Sequence, residues 1–160
     1  MNDEAKLFWD AYVESLKPAA RPVRPVVSAS MAGDERLADT LLQLYLDGTK
    51  HAGSGLVVEY TQTGEALPCV GDYWIVLDAK QTPRCIVRTT RVVGHAFRDV
   101  PEEIAIAEGE GDLSLAYWRQ VHREFYAPYL ECLGIDDLEQ ALVVTELFEV
   151  VYRSTEHDSG

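Results

Sequence analysis

The chain has 160 residues, 47% hydrophobic and 26% charged, with a formal net charge of −13. This length suits one domain with a sizeable core, and the apolar content excludes general disorder. The acidity disfavours duplex DNA as a partner, since duplex binding needs many neutralised phosphates. With no apolar run of about 18 residues, no membrane span is expected.

The start, MNDEAKLFWD, is acidic and amphipathic and lacks the basic region of a signal peptide, so the cytoplasm is the expected compartment. Residues 3–16 place Ala5, Phe8, Trp9, Tyr12, Val13 and Leu16 at helical spacing, with Pro18 after the end. Residues 1–25 thus form a helix and a proline-bearing connector packing on the domain, which occupies 26–153. Residues 26–32 suit a short strand. Asp34 has N-cap chemistry for a second helix with Leu37, Leu41, Leu44 and Tyr45 as its buried stripe, and Gly48 sits where a C-terminal cap glycine belongs.

Residues 56–63 fit either a strand or a short helix. Pro68 to Asp72 reads as a turn before a strand at 73–78; 79–83 is a hairpin loop and 84–93 the return strand. Neither face of that return strand is cleanly apolar, which suits a small barrel better than a flat sheet. A short helix follows at 101–108. Asp112 can cap a longer one in which Leu115, Trp118, His122 and Phe125 share a face and which Pro128 ends. Residues 141–152 form a final strand, and 154–160 a polar, disordered tail. Hairpins without regular β-α-β alternation indicate an α+β fold.

Several residues could carry chemistry. Lys50, just past the helix stop, is either a solvated cation near a helix C-terminus or an ammonium aimed at a phosphate or oxyanion. His51, of the residue type suited to proton transfer near neutral pH, is either a surface histidine or a general acid–base group. Ser54 adds a hydroxyl. Glu108, Glu110 and Asp112 crowd three carboxylates into five residues, as a solvated turn, a base or oxygen ligands for a divalent metal ion. Trp118 and His122 share a helix face with Arg119 beside them, as core or as a base-stacking wall. Arg88 and Arg91 lie on opposite faces of one strand, so one of them can enter a given cleft. Cys69, Cys85 and Cys132 form no C-x-x-C pair and read as buried thiols outside any disulfide. No Walker A, G-x-S-x-G, G-x-G-x-x-G or H-E-x-x-H motif occurs.

In order, LADTLLQLYLDGTK (37–50), LPCVGDYWIVLD (67–78), RCIVRTTRV (84–92), AEGEGDLSLAYWRQVHREFY (107–126) and LFEVVY (147–152) resemble the ASCH domain family, in its bacterial stand-alone branch. The resemblance implies a PUA-like small β-barrel surrounded by helices and a cleft lined by Lys50. It implies an RNA-binding or RNA-cleaving protein, or one that removes acyl groups from modified cytidine. The deacylating branch uses a lysine, a threonine three residues later and a glutamate; Lys50 and Glu110 match, but Gly53 stands at the threonine's place. Ser54, one position on, is expected to point elsewhere if the segment is extended.

The leading expectation is therefore a protein that binds single-stranded RNA or a nucleotide, with ribonuclease activity using Lys50, Glu110 and His51 and a ligand held by Arg88, Trp118, Ser54 and His122. The alternatives are an amidohydrolase acting on an acylated nucleoside and a module that only binds RNA. No cofactor is required by the sequence.

Overall fold

The computed structural model describes residues 1–155, so most of the expected disordered tail lies outside the described residues. In chain order the elements are α1 (Asp3–Ser15), β1 (Val27–Met31), α2 (Ala38–Leu46), β2 (Ala52–Leu56), α3 (Val57–Thr63), β3 (Tyr73–Leu77), β4 (Pro83–Ala96), α4 (Glu102–Glu108), α5 (Leu115–Tyr126) and β5 (Leu142–Arg153). The fold is α+β, with one five-stranded sheet in the order β1-β3-β4-β5-β2. Pairing of β1 with β3 is parallel; β3 with β4 and β2 with β5 are antiparallel. The described residues form two compact units: residues 1–48, 70–89 and 148 onward, and residues 49–69 and 90–147.

In the first unit, β3 reads YWIVL and buries side chains on both faces. Tyr73, Ile75 and Leu77 join Ile86 of β4 under Ala5 and Tyr12 of α1. On the other face Val76, Cys85 and Val87 pack with Leu42 and Tyr45 of α2 and with Phe148. Two covered faces explain why neither face of β4 alternates cleanly. The α1 cap is Asn2, whose side chain accepts the Ala5 N–H at 2.7 Å.

The buried stripe of α2 is Ala38, Leu42 and Tyr45, while Leu37 is exposed. The expected stripe was offset because the helix begins at Ala38. The Asp34 carboxylate still accepts the N–H groups of Arg36 and Leu37, each at 3.0 Å, organising the turn before it. Strand β4 begins at Pro83, one residue early, because Asp78 Oδ1 closes the hairpin on the N–H groups of Lys80 and Thr82.

In the second unit, the ambiguous segment 57–63 is helix, started by Glu59 Oε1 accepting the Leu56 N–H. The strand before it, β2, was not expected, since AGSGL lacks strand formers; its register against β5 defines it. Leu56, Phe97, Val100, Ile104, Ala105, Trp118, Tyr126 and Val143 form the core. Ser114, not Asp112, caps α5 by accepting the Tyr117 N–H, while Asp112 accepts the Ser114 N–H. Phe125, expected on the buried face, is 60% exposed, and Tyr126 takes its place.

Cys85 is buried as expected, but Cys69 and Cys132 are exposed. Burial pushes the Cys85 thiol from 9.0 up to about 12, and burial with the neighbouring Tyr73 pushes the Tyr12 phenol from 10.0 up to about 12. Both groups hold their protons more tightly when folded. Their contribution is full below the unfolded values and lost as pH rises through 9.0 toward about 12. Urea midpoints should therefore fall from about pH 9 upward, and alkylation of the native protein at neutral pH should spare Cys85 while modifying Cys132. Rapid native-state modification of Cys85 would contradict this packing.

Candidate functional site

Helix α2 stops at Gly48, whose φ is +81°, and two residues later the Lys50 side chain turns inward to only 7% exposure. A buried ammonium needs partners for its protons. Lys50 Nζ donates to the carbonyls of Ala52 (3.1 Å) and Glu108 (3.2 Å) and to Glu110 Oε2 (3.1 Å), and lies 3.9 Å from Glu108 Oε1.

Glu108, the last residue of α4, is 4% exposed. Its Oε2 accepts the Ser54 hydroxyl at 3.0 Å and the Trp118 indole N–H. Its Oε1 stands 3.9 Å from His122 Nε2. The register of β2 on β5 sets Ser54 opposite Thr145, and their hydroxyl oxygens are 2.7 Å apart. Ser54 gives its one proton to the carboxylate, so Thr145 is the donor between the hydroxyls. His122 Nδ1 lies 2.7 Å from the Trp118 carbonyl, which only accepts, so Nδ1 carries a proton. The His122 ring stacks on Trp118 at 4.0 Å.

Two glycines let the acidic turn fold this way. Gly109 and Gly111 have φ of +68° and +61°. A Cβ on Gly109 would stand 2.9 Å from the Lys50 nitrogen and closer still to the Thr49 carbonyl oxygen. The His51 N–H donates to the Ala107 carbonyl at 2.8 Å, which pins the start of β2 to α4.

Ser54 also lines a groove of about 380 Å³ with Glu59, Tyr60, Glu65, Phe125 and Tyr126. The Tyr60 phenol is pushed up by burial, then by Glu146, Glu59 and Glu65. That of Tyr126 is pushed up by burial, then by Glu59. Both are therefore neutral at ordinary pH. A second cavity of about 20 Å³, the size of one water, lies among Glu108, Glu110, Trp118 and His122.

Of the residues singled out from sequence, the structure brings Lys50, Glu110, Ser54, Trp118 and His122 into one network. The His51 imidazole is exposed, and only its backbone joins in. Arg88 belongs to the first unit, where its charge bears on Tyr12. Ser54 points elsewhere than position 53, as expected for an extended segment: period-two alternation puts Ser54 with buried Ala52 and Leu56, and Gly53 on the other face. In the sequence, Glu108 stands only as one carboxylate of the acidic turn. Its spacing of four from buried Ile104 on α4 was the available signal. Thr145 lay unnoticed within an apolar strand. Among the described residues, no group of three or more His, Cys, Asp or Glu is placed to hold a metal ion. No described helix is long and apolar enough to cross a membrane.

The family model for the ASCH domain matches residues 28–152. The crystal structure of an ASCH domain from Lactobacillus crispatus JV V101 is 36% identical, covering 96% of this chain and 97% of its own, with a TM-score of 0.87. A crystal structure of a protein from Enterococcus faecalis V583 is 31% identical, covering 100% and 95%, with a TM-score of 0.80. The fold is thus the PUA-like ASCH fold. No curated protein matches the chain.

Two alanine substitutions probe the turn. At Gly48, φ is +81° with nothing within 4 Å of an added Cβ, so alanine should cost only left-handed strain, about 1 kcal/mol. At Gly109 the clash with the strand backbone adds to that strain, so alanine should cost at least about 2 kcal/mol more. In a chain of this size that is an extra fall of roughly 4–8 °C in Tm. Equal losses at the two positions would contradict the close approach.

Proposed function

Because the chain belongs to the ASCH domain family, we propose that it is a hydrolase acting on an acyl amide carried by a small, unphosphorylated nucleoside. Its polar machinery is Lys50, Glu108, Glu110 and Ser54. One observation carries this reading: Ser54 links the buried Lys50–Glu108 pair to a groove with no lysine or arginine among its described lining residues.

Phosphate-rich ligands need cations along their path. Here Glu59 and Glu65 line the groove, and the body carries −13, so phosphates are repelled. Lys50 holds three acceptors already. Tyr60 and Phe125 offer faces for a nucleobase, and Tyr60 a neutral phenol for its polar edge. The volume of about 380 Å³ is in the range of small-molecule sites. Ribonuclease chemistry with His51 as base would need an imidazole that instead faces solvent. This reverses the order of preference drawn from sequence, and RNA drops below the nucleoside. Glu110, whose side chain is 41% exposed beside Lys50, is the carboxylate of the pair open to solvent.

The test is turnover of acylated cytidine, followed chromatographically, beside binding of short single-stranded RNA at two salt concentrations. The parent should deacylate the nucleoside, and Lys50→Met should lower kcat/KM by about 100-fold or more. RNA binding should be absent or insensitive to Lys50. If no acylated nucleoside is turned over while RNA binds with a salt slope near 0.7 per contacted phosphate, the RNA reading takes its place.

A further inference from the structure

We infer that Ser54 is the nucleophile of this site and Glu108 its general base, so that hydrolysis passes through an ester on Ser54 rather than by direct attack of water. The inference rests on the hydrolase reading above and adds the covalent route.

Two hydroxyls meet in the cluster, and they are not equivalent. Thr145 is fully buried and can reach no ligand. Ser54 lines the groove and touches the buried carboxylate. Its Oγ lies 3.0 Å from Glu108 Oε2, within the range for a nucleophile and its base. The base is itself oriented: the Trp118 indole N–H holds the same oxygen, and Lys50 stands beside the other. The Thr145 hydroxyl, 2.7 Å away, fixes the Ser54 rotamer. At Gly55 a Cβ would stand 3.4 Å from the Tyr60 ring, so glycine there lets the ring close on the groove beside the hydroxyl.

The steps balance with water as the only co-reactant. Ser54 Oγ bonds to the acyl carbon as its proton passes to Glu108. The bond from that carbon to the leaving nitrogen then breaks, and Glu108 returns the proton to that nitrogen. Water adds to the ester carbon and gives a proton to Glu108. The bond to Oγ breaks, Ser54 recovers its proton, and the free acid departs.

The experiment uses the full chain with 4-nitrophenyl acetate, a generic acyl donor, followed by stopped-flow absorbance, acid quench and peptide mass spectrometry. The inference predicts a burst of nitrophenolate stoichiometric with protein and one acetyl group on the peptide containing Ser54. Ser54→Ala should lose both. Glu108→Gln should slow acylation by about 10²–10⁴-fold. Ser54→Cys keeps a nucleophile in place and should carry the acetyl group on sulfur, which guards against a fold defect in either of the other variants. An undiminished burst in Ser54→Ala, acetyl on Lys50 or an exposed cysteine with none on Ser54, or no acyl-protein at all would overturn it. Deacylation of acylated cytidine at an unchanged rate by Ser54→Ala would remove the covalent route and leave the hydrolase reading intact. Acetyl on Ser54 without turnover of any acylated nucleoside would keep the nucleophile and remove the substrate class.

Discussion

The Lys50 ammonium sits where water hardly reaches it. Taking such a charge out of water costs several kcal/mol, and that cost is offset only by well-placed acceptors. The acceptors come from two stretches of chain: the Ala52 carbonyl at the head of β2, and the Glu108 carbonyl at the end of α4 with the Glu110 carboxylate two residues on. The last carbonyls of a helix favour a cation, and the end of α4 is used in that way. Left-handed Gly109 is what allows the helix end to sit against Thr49 and Lys50.

The same constraint organises the chemistry. Glu108 is buried only because donors and a cation surround it: the Ser54 hydroxyl and the Trp118 indole N–H donate to Oε2, and the Lys50 ammonium stands 3.9 Å from Oε1. Removing any one would leave a buried carboxylate short of a partner, which costs more than the bond itself contributes. The network therefore holds Ser54 in one orientation at the wall of the groove. The proposed small-ligand chemistry rests on these fixed polar groups beside the groove.

Much of the fold could be read from the sequence, because its strongest signals are periodic. The α1 stripe, the β3–β4 hairpin, and the Pro101 and Pro128 boundaries appear where spacing and proline placed them. The failures have physical causes. AGSGL has no strand propensity, so β2 exists through its pairing with β5, a long-range fact. The Ser54–Thr145 contact was hidden for that reason: without the pairing, the partner of Ser54 on β5 could not be assigned. Phe125 and Tyr126 are adjacent and both aromatic, and a shift of one residue decides which is buried. In the site, Lys50 stood out because it follows a glycine stop, and Glu110 through the family resemblance. Glu108 was hidden in an acidic run that composition reads as solvated, although it lies one turn after Ile104 on the buried face of α4.

The claim that Lys50 and Glu108 form one energetic unit is tested most directly by a double-mutant cycle on stability, using Lys50→Met, Glu108→Gln and the pair, each unfolded in urea. Each single change leaves a buried charge short of one neighbour, Lys50 keeping Glu110 and two carbonyls and Glu108 keeping Ser54 and Trp118, and should cost about 1–3 kcal/mol. The double change removes both charges and should cost less than the sum, with a coupling of about 1–3 kcal/mol. Additivity within about 0.5 kcal/mol would contradict the account, because the two charges would then be held independently and Lys50 would not be the constraint on which the site is built.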